Sequence, residues 1–296
     1  MKHERQSLTS RQFAEALGVS ESSVKRWVDE GEITAHRTAG GHRRIPLSSA
    51  LRFIRKTHAR PALPHLLELD AVPAFGEVDS SAAEELHEAF TRDDTSQARA
   101  IITGRFLSGA PIAAIGDSLL RPVLQRIGEM WQSDPAGILL EHRAVESCIQ
   151  TLAEIAAWLP APAPDAPAAI TAAGPADPYL LPPMLTFLTL RECGVRVWNV
   201  GPCTPLRTVE LAIARYKASL AVLSVSVPQD HAGIRGWIDL VRAAEAAGCR
   251  VLLGGRCVGT LPDDLKPQTR FAGSMSELAA YASGLVEGAE GRDTGK

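Results

Sequence analysis

Paired cysteines are missing from this sequence. The five present, Cys148, Cys193, Cys203, Cys249 and Cys257, are an odd number with no C-x-x-C spacing, which argues against a disulfide framework or a structural zinc site. They read as small buried apolar side chains, with Cys203 and Cys257 placed in loops where a thiol could also serve a site. Long apolar runs are missing too. Every one is broken early by Pro, Gly or charge, and the opening MKHERQSLTS has no apolar signal core, so neither a membrane span nor a secretory signal is expected and the reading is cytoplasmic. No Ser-His-Asp, paired-carboxylate or Walker-type constellation stands out, so no catalytic activity of its own is expected. Bulk disorder is absent as well: 296 residues at 45% apolar and 22% charged describe a globular chain of two or three domains.

What is there is an uneven charge. The formal net charge is −3, yet residues 1–60 hold 12 Lys and Arg against 6 acids, a net of +6 that leaves −9 for the rest. A cationic head on an acidic body suits a partner with a phosphate backbone, which the body would repel and the head attract. The segment TAHRTAGGHRRI, residues 34–45, concentrates the effect with three arginines, two histidines and no acid around a Gly-Gly pair.

Thr9-Ser-Arg-Gln12 predicts a capping box that opens a helix with Phe13, Ala14 and Leu17 inward. Gly18 permits a tight turn, and Ser20 caps a second helix that runs to Gly31 with Val24, Trp27 and Val28 inward. Its outward face carries Glu21, Ser22, Lys25 and Arg26. Two short helices joined this way, the second presenting Ser, Lys and Arg, suit a reader of the DNA major groove. ITAHR and HRRIP then read as two strands joined by TAGG, a hairpin that sets His36, Arg37, His42, Arg43 and Arg44 along a projecting wing able to follow phosphates.

Residues 59–79 read as a linker with one short helical piece, and the Pro/Ala stretch 160–168 as a second. Between them, in 80–159, four segments with apolar residues three and four apart predict a four-helix bundle. Residues 169–288 change to alternating strands and helices. Five strands, the last being RFAG at 270–273, predict a doubly wound, flavodoxin-like parallel sheet, with 289–296 as a tail. Ligands of such sheets bind beyond the carboxyl ends of the strands. Those ends carry Asp177 to Pro183, Ser224 to Pro228 and Gly254-Gly255.

The segments VKRWVDEGEI and TAGGHRRI, in that order of elements, make residues 7–56 resemble the MerR-type winged-helix regulators. With the bundle and α/β region behind it, the chain resembles the CarH-type photoreceptor regulators that use cobalamin. Trp131 followed after nine residues by Glu141-His142 matches the signature with which that family covers the upper corrin face and its adenosyl group. Ser224, Ser226, Gly254 and Gly255 match more loosely the positions where the family houses the cofactor's nucleotide tail. The resemblance implies a two-fold operator in double-stranded DNA, self-association into a homodimer or larger homo-oligomer, adenosylcobalamin as cofactor and light-responsive target genes.

One motif departs from the family. Where it has D/E-x-H-x-x-G, with His as the lower cobalt ligand, this chain has Asp177-Pro-Tyr179-Leu-Leu-Pro182. A neutral phenol is a poor cobalt ligand, and a proline ring stands where glycine would let the cofactor's tail approach. Three outcomes stay open: cobalamin in another mode, keeping its own base or using His142; another tetrapyrrole; or no small molecule at all. The expected function is a transcription regulator, a repressor. A corrinoid methyl carrier and an anti-repressor or scaffold acting by protein contact are the alternatives, and direct DNA binding separates the last from the first.

Overall fold

The computed structural model describes residues 7–67, 69, 75–130, 135–262, 265 and 273–293. The chain forms two compact units, Met1–Pro160 and Ala161–Lys296. No helix among the described residues is long and apolar enough to cross a membrane.

The first unit opens with strand β1 (Ser7–Leu8), helices α1 (Ser10–Leu17) and α2 (Glu21–Asp29), strands β2 (His36–Arg37) and β3 (Arg43–Pro46), and helix α3 (Leu47–Thr57). β3 is the middle strand, antiparallel to both β1 and β2. Phe13, Val24, Ile33, Ile45, Leu51 and Ile54 are buried between these elements. Each contributes roughly 1.5–3 kcal/mol by leaving water. Phe53 of α3 anchors α2 and α1 from below, its ring 4.7 Å from that of Trp27 and 6.1 Å from that of Phe13. The first part of the expected linker is strapped down: the Leu63 amide donates to the Ala16 carbonyl at 3.0 Å, and Leu67, in a short helical turn at Pro64–Leu67, is fully buried.

The bundle follows as α4 (Ser80–Thr91), α5 (Thr95–Leu107), α6 (Ile112–Ala114), a wider π turn at Ile115–Leu120, α7 (Arg121–Met130) and α8 (Pro135–Trp158). Asp79 and Asp94 cap α4 and α5 through the amides of Ala82 and Gln97. The predicted third helix is thus one run interrupted by a π segment, an irregularity no periodicity announces. α3 docks on this bundle through cations. Arg55 donates to the carbonyls of Phe106 and, at 3.0 Å, Ala110, and its guanidinium lies 3.9 Å from the Phe106 ring centre. His58 Nδ1 meets the Ser108 carbonyl at 2.9 Å. These carbonyls belong to the last turn of α5 and the loop after it, where a helix leaves acceptors unpaired and carries partial negative charge. α3 adds donors to an end that the chain also caps itself, through the Gly109 amide on the Phe106 carbonyl at 3.0 Å and the Ala110 amide on the Arg105 carbonyl at 3.1 Å. Arg55→Ala is expected to cost the first unit about 2 kcal/mol, a fall of roughly 5 °C in its melting temperature. Arg55→Lys, which keeps the charge but loses the two-pronged donor, should recover only part of it.

The second unit is a parallel sheet of β4 (Ala168–Ala173), β5 (Arg196–Gly201), β6 (Leu220–Ser224) and β7 (Arg250–Gly254), in the order β5-β4-β6-β7. Helices α9 (Leu181–Glu192), α10 (Leu206–Tyr216), α11 (His231–Ala246) and α12 (Met275–Asp293) complete it. Ile170, Ala172, Leu223 and Val251 face α10 and α11; Ala169, Val222 and Leu252 face α9 and α12. Both faces are covered, as a parallel sheet requires. This is the α/β architecture the alternating pattern predicts, with four strands among the described residues. Residues 270–272 of the expected fifth strand lie outside them. Pro182 and Pro183 sit in the first turn of α9, where a missing amide costs nothing.

Candidate functional site

The head is built as its local sequence dictates. The Gln12 amide donates to Thr9 Oγ1 at 3.1 Å and the Thr9 amide to Gln12 Oε1 at 2.9 Å, completing the capping box. Gly18 turns the chain at φ 70°, and Ser20 caps α2 through the Ser23 amide at 3.2 Å. The outward face of α2 then presents Glu21, Ser22, Lys25 and Arg26, all exposed. None of the three predicted readers on it is unengaged. The Ser22 hydroxyl lies 2.8 Å from that of Ser20, Lys25 pairs with Glu21 at 2.9 Å, and Arg26 lies 3.9 Å from Glu30. Lys25 helps hold the Glu21 carboxyl below its usual range.

The wing is a tight hairpin. Its turn closes through Thr38 N–H to the His42 carbonyl at 2.9 Å and Gly41 N–H to the Thr38 carbonyl at 2.8 Å, with Gly41 at φ 80°. His36 faces Arg44 across the strands, and Arg37 faces Arg43. His36, Arg37 and His42 are exposed and Arg44 half-buried. Neither Arg37 nor Arg44 pairs with another described residue. Arg43, which the sequence places along the wing to meet phosphate, is engaged within the chain. Its Nη2 sits 2.6 Å from Asp29 Oδ1 at the end of α2, and its side chain is only 20% exposed. Arg37 lies on the same face of the hairpin as its cross-strand partner Arg43, and Arg44 on the opposite face. With the exposed Arg11 on α1, Arg37 and Arg44 are cations of the described head open to a polyanion.

The second candidate lies at the carboxyl edge of the sheet, beyond β4 and β6. The strand order reverses there, and open α/β sheets bind their ligands at that switch point. Here the switch point is filled by the chain's own groups. Asp177, 1% exposed, accepts from the Ser226 amide at 2.7 Å and the Tyr179 amide at 3.2 Å, with Ser224 Oγ at 3.4 Å. Ser224 Oγ and Ser226 Oγ are 2.9 Å apart. Arg256 donates Nε to the Ser226 carbonyl at 2.9 Å and Nη2 to the Tyr179 hydroxyl, and its guanidinium lies 4.7 Å from the Tyr179 ring centre. Gly255 is at φ 103°, and a Cβ there would lie 2.7 Å from the Val225 carbonyl oxygen, so its bare face is used by the protein's own backbone. Gly254, buried, accepts from the Val225 amide at 2.8 Å.

Tyr179, Ser224, Ser226, Gly254 and Gly255 therefore come together as predicted positions, joined by Asp177 and by Arg256, which sequence reasoning missed. Its signal was only a cation directly after the Gly-Gly pair. Glu141, half-buried, and His142, exposed, belong to α8 in the other unit; Trp131 lies outside the described residues. Burial pushes the Cys148 and Cys249 thiols up to about 12, which makes them inert packing groups. Cys203 is exposed, and Cys257 Sγ lies 3.3 Å from the Ser226 carbonyl.

A corrinoid held from below by a protein imidazole does not fit these residues. Its ligand position is a phenol covered by a guanidinium, the serines are bonded to each other and to Asp177, and the glycine is filled by Val225. No cluster of three His, Cys, Asp or Glu able to hold a metal ion occurs among the described residues.

Comparison with known proteins bears on the head by family and on the rest of the chain by fold. Residues 7–58 match the helix-turn-helix domain family, so the chain carries such a domain at its amino end. Among solved structures, the monomethylamine corrinoid protein of Methanosarcina barkeri is similar over 69% of this chain and 98% of its own, with 16% identity and a TM-score of 0.52. At that identity the likeness establishes the fold. A cobalamin-binding protein from Desulfitobacterium hafniense covers 80% of this chain and 97% of its own at 10% identity, with a TM-score of 0.35. No curated protein matches in sequence.

Proposed function

We propose that this protein is a DNA-binding transcription regulator, a repressor, that reads a two-fold operator as a homodimer or larger homo-oligomer and works in the cytoplasm. The observation that carries the reading is the head: a capped helix-turn-helix with a hairpin beside it that leaves Arg37 and Arg44 without partners among the described residues. A single module of this size buries too little surface for a specific site, so two or more copies are required. The acidic remainder supplies the contacts that set the assembly. A ligand, light or a partner controls it only through a difference in affinity for two arrangements. The family's cobalamin-based control is replaced or altered, because the lower-ligand position is occupied by the Tyr179–Arg256 pair.

The deciding experiment has two halves. The purified chain should shift promoter DNA from its own genomic neighbourhood; failure would favour the scaffold reading. The same chain, incubated with adenosylcobalamin and desalted in the dark, should show no spectrum of cobalt bound to a protein imidazole. Tyr179→His alone should not create one, since Arg256 still covers the ring position and Pro182 remains. An imidazole-ligated spectrum in the unmodified chain would overturn the reading of this edge. The methyl-carrier alternative draws on the fold alone, and a protein left colourless after methylcobalamin would remove it.

A further inference from the structure

The end of α2 carries an acid that pairs with the wing. Asp29 closes the helix and Glu30 follows it, placing acids where the helix's own partial charge is negative and disfavours them. On the same helix Lys25 pairs with Glu21 and Arg26 lies near Glu30, so Asp29 finds its partner outside the helix. It reaches across 14 residues to Arg43 of β3, at 2.6 Å. Arg43 is the first residue of β3, two before the fully buried Ile45, and pleating puts both on the strand's inward face. Beyond it the hairpin holds only its own turn. Because Arg37 is the cross-strand partner of Arg43, the ion pair fixes both strands at the point where the wing leaves the body.

Resting on the DNA-binding reading above, we propose that Asp29 and Arg43 form a latch that sets the pitch of the wing against the recognition helix. Arg43 is thus a positioning residue and not a phosphate contact. The latch determines where Arg37 and Arg44 stand when α2 occupies the major groove, so a sequence-specific fit of helix and wing depends on it. The two roles predict opposite results for the acid. Were Arg43 a phosphate contact, removing Asp29 would free it, delete a negative charge facing DNA and tighten binding. A latch predicts weaker binding when either partner is removed.

The test uses the full chain and a duplex selected by the unmodified protein from a random-sequence pool, with affinity read by anisotropy over a range of salt. Asp29→Ala and Arg43→Ala should each weaken binding about tenfold with the salt slope unchanged, and the exchanged pair Asp29→Arg/Arg43→Asp should recover most of it. Tighter binding by Asp29→Ala, or a slope lower by about 0.9 in Arg43→Ala with no recovery in the exchanged pair, overturns the proposal. Amide exchange on the DNA-free proteins provides a second readout. The Thr38 and Gly41 amides should exchange faster in both single variants and return in the exchanged pair, with α1 and α3 amides unchanged. Unaltered wing exchange also overturns the latch. If the unmodified chain selects no duplex, the DNA-binding reading fails, while exchange still judges the latch.

Discussion

Replacing Arg37 and Arg44 together by alanine is expected to lower affinity for the selected duplex by roughly 100-fold near physiological salt, and to flatten the salt slope by about 1.8 per chain. The expectation follows from what each cation already does. Lys25, Arg26 and Arg43 face carboxylates of their own chain at 2.9, 3.9 and 2.6 Å, so their approach to phosphate first costs an internal pair. Arg37 and Arg44 bring no such cost and release counterions outright. Their loss should therefore act on all sequences alike, leaving the ranking of duplexes intact. Anisotropy titrations at several salt concentrations read both quantities. An unchanged slope would place the phosphate contacts elsewhere on the head.

Gly255→Val should be the most damaging single change in the second unit. The residue combines φ 103° with a Cβ position 2.7 Å from the Val225 carbonyl oxygen, so a side chain meets both a left-handed backbone and a rigid strand end. Either alone costs on the order of 1–3 kcal/mol, and together they reach a large share of a domain's marginal stability. The melting temperature of this unit should fall by about 10 °C or more. Gly259→Ala is the control, since a Cβ there meets nothing within 4 Å. It should melt within a degree or two of the unmodified chain, as surface changes usually do. Equal melting of the two variants would contradict the described strand end.

The parts that were legible in the sequence are those whose causes are local. The Thr9 capping box, the left-handed Gly18 and the Ser20 cap depend on residues within four positions, and the wing follows from two short cationic strands around Gly40-Gly41. Alternating strand and helix segments likewise disclosed the α/β unit. What escaped depends on side chains brought together from afar. Asp29 and Arg43 are 14 positions apart, Tyr179 and Arg256 77, and Arg55 and Ala110 55. Composition marks such arginines as free surface charge; only the fold reveals which carbonyl or carboxylate consumes each one. The same ignorance hid the switch-point network. Asp177 stood in a motif marked by its missing histidine, while its buried carboxylate ties Tyr179 and Ser226 to the end of β6 at Ser224.

The cationic capping of α5 by α3 bears on any assembly this chain enters. A reader bolted to its frame through Arg55 and His58 cannot swivel to meet binding sites of varying separation, as one on a slack tether would. In the proposed oligomer, subunits joined through the frame would hold their readers like teeth on a comb, and the gap between neighbouring teeth would become a ruler laid along the duplex.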